Sequence, residues 1–331
     1  MAIEDFPRIR LANLPTPLVE APRLSAELGG PRILIKRDDL TGMAMGGNKA
    51  RKLEFVLADA KMKGADVLIT TGSSQSNFAM QMTAAACKLG MESILILFKG
   101  QHPEVQGNHL LDKLLGAEVR IMDVTIAEFN KIHEAIDQLS NELRQKGRNP
   151  YSIPAGADIP LGTAGYVIAA QEISQQLNQL GIKADYLFDA AGGGGTHGGL
   201  VLGAKYYQLP FKVIGSSVAY AKEDCQRMFA ELCNNTSKML GLGVTINPDE
   251  ILIYDDYVGE GYGIPTKECI EAIKLVARTE AIFLDPVYTG KTMAALIDLI
   301  HKGKFTANET VVFIHTGGNA ALFAYDKELM A

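Results

Sequence analysis

A lysine that follows a double-glycine turn is the residue best placed for covalent chemistry in this chain. Lys49 comes directly after Gly46, Gly47 and Asn48, and an apolar helical stretch follows it. The glycines permit a tight turn, Asn48 is a favourable N-cap, and the lysine then lies at the positive end of the helix dipole, where a cation is disfavoured. Because a lowered pKa makes a lysine amine a better nucleophile toward a carbonyl, Lys49 is predicted to form a Schiff base.

Two further loops hold the groups that a phosphorylated aldehyde would need around this lysine. The first loop presents backbone N–H groups at the start of a predicted helix, which suit a phosphate, and its residues are Gly192, Gly193, Gly194, Gly195 and Thr196. The second loop ends at Ser76 and Asn77. Its small hydroxyl and amide side chains suit a carboxylate, although they would also serve as a plain helix cap. Together with the lysine, the two loops predict an enzyme that uses pyridoxal 5′-phosphate.

The glycine loop also fits a dinucleotide site. Gly193, Gly195 and Gly198 satisfy the pattern G-x-G-x-x-G, which in a dinucleotide site is followed about 20 residues later by an acid at the end of the next strand. The next predicted strand ends at residues 215–217 without a carboxylate. A single phosphate is therefore favoured. Two alternatives remain. One is a nicotinamide-dependent oxidoreductase, which is an enzyme of a different class, and the other is a flexible glycine loop that binds no ligand.

Alternating strands and helices must hold these loops. Apolar, β-rich runs predict strands at 33–36, 67–70, 93–98, 118–122, 186–190, 212–216 and 310–315. Helices are predicted at 48–63, 77–89, 106–115, 126–145, 164–180, 198–207, 267–280 and 292–302. In the first helix Leu53, Val56, Leu57 and Ala60 form one apolar stripe. The alternation predicts an α/β fold with two open, twisted, mostly parallel sheets covered by helices. Residues 1–49 and 165–331 would form a large domain and residues 50–164 a small one.

Composition and charge argue against several other classes of protein. The chain has 331 residues, is 47% apolar and 21% charged, and carries a net charge of −6. These values are typical of a soluble globular protein and leave no basic excess for nucleic acid. There is no apolar run long enough for a membrane span, and the acidic N-terminus does not resemble a signal peptide, so a cytoplasmic location is expected. The cysteines, at 87, 225, 233 and 269, lack metal-ligand spacing, so reduced thiols and no metal site are expected.

Eight motifs in a fixed order give the chain a resemblance to one family. They lie at 36–40, 46–53, 75–77, 160–162, in the glycine loop, and at 255–263, 285–290 and 315–318. Over residues 5–325 the chain resembles the D-cysteine desulfhydrase and 1-aminocyclopropane-1-carboxylate deaminase family, whose members are fold-type II pyridoxal-phosphate enzymes similar to the tryptophan synthase β subunit. The resemblance implies that fold, with the cofactor in the cleft between the domains, and it implies a homodimer.

The resemblance also implies roles around the cofactor. Lys49 would carry pyridoxal phosphate and later move the α-proton of the substrate, while Lys52 and residues 192–196 would bind the phosphate. Asn77 would form a hydrogen bond with the 3′-oxygen of the cofactor. Thr289 and Thr316 would lie against the ring.

Substrate contacts follow from the same comparison. Ser76 would lie at the substrate carboxylate or act near the reacting carbon, and Tyr262 and Tyr288 would flank cofactor and substrate. Further contacts are expected from Asn77, Phe78 and Thr163.

Three positions bear on the choice of substrate. The deaminases of the family have a glutamate against the pyridine nitrogen where this chain has Thr289, and they tend to have a leucine where it has Thr316. A carboxylate would keep that nitrogen protonated and strengthen the ring as an electron sink, whereas a threonine hydroxyl can donate to an unprotonated nitrogen. Both differences favour a desulfhydrase. Phe78 departs from both subgroups, which usually have histidine or glutamine there, and His197 or Tyr257 would have to supply the missing polar contact.

The expected reaction is therefore an α,β-elimination on a small β-substituted amino acid. D-Cysteine would give pyruvate, ammonia and sulfide. The alternatives are ring opening of 1-aminocyclopropane-1-carboxylate and elimination from cysteate, β-chloroalanine or 2,3-diaminopropionate.

Overall fold

Two sheets form the framework of the molecule, and a computed structural model describes residues 3–124 and 128–331 of it. The larger sheet has six strands in the order β1–β2–β10–β7–β8–β9, and the smaller sheet has four in the order β5–β4–β3–β6. Neighbouring strands pair in parallel, except that β1 and β2 are antiparallel. The strands are β1 (Leu18–Glu20), β2 (Arg32–Lys36), β3 (Val67–Ser73), β4 (Glu92–Phe98), β5 (Glu118–Met122), β6 (Pro150–Ile153), β7 (Tyr186–Ala191), β8 (Lys212–Ser217), β9 (Leu252–Tyr254) and β10 (Thr310–Ile314).

Helices cover the sheets and connect their parallel strands. They are α1 (Pro22–Leu28), α2 (Lys49–Met62), α3 (Asn77–Leu89), α4 (Gly107–Leu114), α5 (Asn130–Gln145), α6 (Pro160–Leu180), α7 (Gly195–Tyr206), α8 (Lys222–Leu240), α9 (Lys267–Glu280), α10 (Thr289–His301) and α11 (Asp326–Met330). Among the helices of the described ranges, none is long and apolar enough to cross a bilayer.

The predicted fold class is confirmed, and each of the seven predicted strands corresponds to an observed strand. The predicted helix at 126–145 begins in residues 125–127, which lie outside the described ranges. The smaller sheet takes all its strands from residues 67–153, inside the proposed small domain of residues 50–164, and the domain boundaries themselves stay a prediction.

The missed elements have weak sequence signals. Strands β1 and β9 have three residues each, and β6 begins with a proline, which sequence patterns assign to edges or loops. Helix α8 was missed because Cys225, Cys233 and Thr236 interrupt the apolar residues of its buried stripe. Strands β1 and β9 form the two edges of the larger sheet, and β6 forms one edge of the smaller sheet.

Helix α2 differs from its predicted amphipathic form. The stripe of Leu53, Val56, Leu57 and Ala60 is buried, but so are Arg51, Lys52 and Glu54. A helix buried nearly all round needs a partner for every charge, and each of these three side chains has one. The segment after Lys49 is therefore a buried helix that packs against α3 and α6.

Candidate active site

The loop before α2 takes the tight path that its glycines predict. Gly46 and Gly47 have φ values of +72° and +131°, and a Cβ added at Gly46 would lie 1.8 Å from the carbonyl oxygen of Asp39. The predicted side-chain cap by Asn48 is wrong, because this residue has helical backbone angles and its side chain does not cap the helix. The Asn48 amide donates instead to the Thr196 hydroxyl at 2.9 Å, which ties the lysine loop to the glycine loop.

Lys49 is the first residue of α2 and lines a cavity of about 540 Å³. Burial and the positive charge of Lys52 lower the pKa of its amine to about 7, although Asp158 acts in the opposite direction. Lys49 therefore has a substantial neutral fraction near neutral pH, as a nucleophile or base requires.

The glycine loop runs from the end of β7 into α7. Gly194 has a φ of +96°, and a Cβ there would lie 2.3 Å from the ring of Phe229, so glycine is required by both conformation and space. The N–H of Gly195 opens α7 and points into the concave side of the loop, where it donates to Asp158 Oδ1 at 2.9 Å. Gly192, Gly193, Gly194 and Thr196 line the cavity.

Asp158 is a site residue that the sequence reasoning missed. Its carboxylate pairs with Lys52 Nζ at 2.5 Å, and Lys52 also donates to the carbonyl oxygen of Gly156 at 3.2 Å. The motif at 160–162 could have drawn attention to Asp158, which comes two residues before it in the turn that leads into α6. Lys52, predicted to bind phosphate, is thus fully buried at the glycine loop.

Ser76 and Asn77 stand at the start of α3, and both line the cavity. Ser76 is also the helix cap, because its Oγ accepts from the N–H of Ala79 at 3.2 Å. Asn77 Oδ1 accepts from Asn108 at 2.7 Å, which turns the donor end of the Asn77 amide toward the loop at Gly318, where an added Cβ would lie 2.7 Å from Asn77 Nδ2. A hydroxyl and an amide are thereby fixed in the wall of the cavity.

Two tyrosines form a hydrogen-bonded pair in the cavity wall. The hydroxyl groups of Tyr262 and Tyr288 are 2.6 Å apart, and the rings meet edge to face with centroids 5.8 Å apart. Burial raises the pKa of both hydroxyl groups. The pair therefore stays protonated and has one proton left to donate outside the pair.

The remaining predicted residues are divided between the cavity and the layer behind it. Phe78, His197 and Thr316 line the cavity. Thr163 and Thr289 are fully buried and do not appear among the described lining residues.

The residues behind the wall have local partners. The Thr289 hydroxyl donates to Asp285 Oδ1 at 2.7 Å, so its proton points away from the cavity, and Thr163 donates to the carbonyl oxygen of Ile159 at 3.0 Å. His197 Nδ1 contacts Asp189 Oδ1 at 2.8 Å, and the Tyr257 hydroxyl donates to Asp298 at 2.5 Å. Of the two residues considered as substitutes for a polar residue at position 78, only His197 lines the cavity in the described structure.

These groups fit pyridoxal phosphate. Lys49 offers an amine for the aldehyde. Lys52 and the Gly195 N–H, which pair here with the Asp158 carboxylate, are donors of the kind that a phosphate needs. The Asn77 amide offers a donor for a ring oxygen. The volume lies within the range of small-molecule sites, and it leaves room for a small amino acid beside the ring.

Comparisons with known proteins agree with this fit. The family model described as pyridoxal-phosphate dependent enzyme matches residues 9–317. A putative 1-aminocyclopropane-1-carboxylate deaminase of Pyrococcus abyssi (strain GE5 / Orsay) is 42% identical over 329 residues, which cover 99% of this chain and 96% of the relative. A protein of the same description from Pyrococcus horikoshii is 41% identical over 99% of this chain and 97% of its own length.

Solved structures share the fold of this chain. The crystal structure of an ACC deaminase homologue superposes with a TM-score of 0.91 at 40% identity, covering 99% of this chain and 97% of that chain. The processed form of threonine deaminase isoform 2 from Solanum lycopersicum shares the fold, with a TM-score of 0.67 at 19% identity, covering 99% of this chain and 84% of that chain.

Proposed function

Because this chain belongs to the family of pyridoxal-phosphate-dependent enzymes, and within it to the relatives of 1-aminocyclopropane-1-carboxylate deaminase, we propose that it is a lyase that eliminates the β-substituent of a small amino acid. D-Cysteine is the proposed substrate, with pyruvate, ammonia and sulfide as products. The family assignment favours this class over the nicotinamide-dependent alternative.

Lys49 is proposed to handle the proton at the substrate Cα. The bound cofactor supplies an aldehyde carbon for the substrate amine and a ring that takes up electrons from Cα. With a pKa of about 7, the Lys49 amine can accept the Cα proton near neutral pH, as a general base must. Lys52 and the Gly195 N–H are proposed to hold the phosphate and so to fix the ring.

The start of α3 and the tyrosine pair are proposed to orient the substrate. Ser76 and Asn77 stand at the positive end of α3, where a carboxylate is stabilised. Tyr262 and Tyr288 stay protonated, so the pair can donate one hydrogen bond to the substrate or to its departing group but does not act as a base. Phe78 contributes an apolar wall beside this carboxylate position.

The observation that supports elimination of a thiol is the absence of a carboxylate where the deaminases have one. The residue after Tyr288 is Thr289, and Asp158, at the phosphate end, is the sole carboxylate among the described residues that line the cavity. Without a carboxylate, the ring nitrogen is not held protonated and the ring withdraws electrons less strongly. A ring that withdraws electrons weakly is sufficient for the loss of a thiolate, which is a good leaving group, but less so for the opening of a carbon ring.

Ring opening of 1-aminocyclopropane-1-carboxylate is the second candidate. The descriptions of the relatives support it, since two are putative deaminases of this substrate. It would yield 2-oxobutanoate and ammonia instead of pyruvate and sulfide.

A substrate panel tests the proposal. The purified holoenzyme is incubated with D- and L-cysteine, 1-aminocyclopropane-1-carboxylate, cysteate, β-chloroalanine and 2,3-diaminopropionate, and the two oxoacids and sulfide are measured, with Lys49→Ala as the control for reactions without enzyme catalysis. We expect pyruvate and sulfide from D-cysteine. If 1-aminocyclopropane-1-carboxylate gives 2-oxobutanoate and neither D- nor L-cysteine gives sulfide, ring opening replaces thiol elimination as the proposed reaction.

Assembly and location belong to the same proposal. We expect a homodimer, as the resemblance implies, and a cytoplasmic location. Light scattering coupled to size exclusion checks the first, because a single-chain mass of 35.7 kDa at all concentrations would contradict it.

A further inference from the structure

A carboxylate of the chain itself occupies the position assigned above to the cofactor phosphate. Asp158 Oδ1 accepts from the N–H of Gly195 at 2.9 Å and from Lys52 Nζ at 2.5 Å. These are a helix N-terminus and a buried ammonium group, the two kinds of donor that a phosphate ester uses. Asp158 therefore engages the same donors that the phosphate would need.

The second carboxylate oxygen fills the space above the glycines. A Cβ added at Gly193 would lie 2.1 Å from Asp158 Oδ2, and one added at Gly156 would lie 2.3 Å from it. Gly193 of the glycine loop and Gly156 of the turn before α6 thus both lie against this oxygen, and neither position has room for a side chain larger than hydrogen. A phosphate that enters this space cannot share it with the carboxylate in its present position.

Charge leads to the same conclusion as space. Lys52 is fully buried, and the Asp158 side chain is 15% exposed, so the pair balances its own charge in a region from which water is largely excluded. A phosphate ester dianion beside the carboxylate would place three negative charges against Lys52. Like charges in such surroundings repel strongly, so the carboxylate has to leave when the ester binds.

Asp158 stands where it can leave without disturbing a helix. It follows the short turn Ala155–Ala157 and precedes α6, which begins at Pro160. Its side chain is 15% exposed and borders the cavity, which gives it space to turn into. A rotation of the side chain releases both donors while the backbone of α6 stays in place.

We propose that Asp158 is a resident anion of the phosphate loop, which satisfies Lys52 and the Gly195 N–H in the cofactor-free chain and competes with the phosphate ester for them. The competition lowers the affinity for phosphate esters and keeps the buried ammonium paired between cofactor loss and reloading. The inference rests on the proposed assignment of the phosphate to this loop, but not on the identity of the amino-acid substrate.

Binding of phosphate compounds to the cofactor-free full chain tests this inference. The probes are inorganic phosphate and pyridoxine 5′-phosphate, which lacks the aldehyde and so cannot react with Lys49, and calorimetry at about pH 8 keeps phosphate largely dianionic. We expect Asp158→Asn to bind both probes at least about tenfold more tightly. Pyridoxine without phosphate should bind equally to both proteins. Asp59→Asn, which removes a carboxylate paired elsewhere on α2 with Lys63, should match the wild type.

Two outcomes separate failure of the inference from failure of the assignment. If Lys52→Gln weakens phosphate binding but Asp158→Asn leaves it unchanged or weaker, the competition does not exist. If Lys52→Gln leaves phosphate binding unchanged, the phosphate does not bind at this loop and the inference fails with the assignment.

Wild-type crystals give a check that needs no variant. In crystals of the cofactor-free chain that are grown without phosphate or sulfate, the Asp158 carboxylate should contact Lys52 and the Gly195 N–H. After a phosphate soak, phosphate should take both contacts and the carboxylate should have turned away. A carboxylate that keeps both contacts beside bound phosphate would overturn the proposal.

Discussion

Replacement of Lys52 by methionine should make the Lys49 amine harder to deprotonate. Burial, followed by the positive charge of Lys52, lowers the pKa of Lys49 from 10.5 to about 7, while Asp158 opposes the change. About half of the amine is then neutral at neutral pH, against roughly one part in 3,000 for a solvated lysine. Methionine keeps most of the side-chain volume and removes the cation. Because burial remains, we expect the Lys49 pKa to rise by about one pH unit, the low end for loss of a neighbouring charge.

The assay follows the reaction of the cofactor-free chain with pyridoxal, which lacks the phosphate and so reports the amine alone. The neutral amine is the nucleophile, so the rate rises with pH and levels off above the pKa of Lys49. The wild-type midpoint should lie near pH 7, with Lys52→Met above it and Asp158→Asn, which removes the opposing charge, below it. A wild-type midpoint at about pH 10, the pKa of an ordinary lysine, would refute the reasoning, as would a lower midpoint in Lys52→Met.

Two further predictions concern the framework of the site. Gly194→Ala should lower the free energy of unfolding in urea by about 2–4 kcal/mol, because alanine is strained at this positive φ and its Cβ would lie 2.3 Å from the Phe229 ring. Gly241→Ala is the control, because Gly241 has a φ of +68° but open space around it, so this variant should show the backbone strain alone. Equal losses of stability in the two variants would contradict the contact with Phe229. Asp38→Asn should cost about 3 kcal/mol, the low end for a broken buried ion pair, because the Arg51 guanidinium loses one carboxylate partner and keeps Glu172. In the folded chain burial would raise the Asp38 pKa, but Arg51 outweighs it and lowers the pKa to about 2, so this stabilisation is complete above about pH 4 and is lost as the pH falls toward 2. Urea titrations across that range should find the loss in the wild type and a smaller one in the variant.

The local parts of the site could be predicted from the sequence. The turn at Gly46 and Gly47, the helix that begins at Lys49, and the glycine loop that leads into α7 all depend on residues close together in the chain. Glycine is required there by positive φ or by close contact, and such requirements are visible in the sequence itself.

The long-range contacts could not be predicted in the same way. Asn48 has the chemistry of a helix cap, but its amide bonds to Thr196, 148 positions away. Lys52 pairs with Asp158 across 106 positions, and that partner depends on how α2 packs against α6 and the turn before it. The burial of α2 on nearly all sides was hidden for the same reason, since its charged residues look exposed until their distant partners are known.

The most direct test of the account is to reduce the holoenzyme with borohydride, which fixes the cofactor to the amine that carries it, and to map the labelled peptide. A pyridoxyl group on Lys49 is the predicted result. A label on Lys52 or Lys36, or a protein that binds no pyridoxal phosphate at all, would contradict the assignment of the reactive amine to the start of α2.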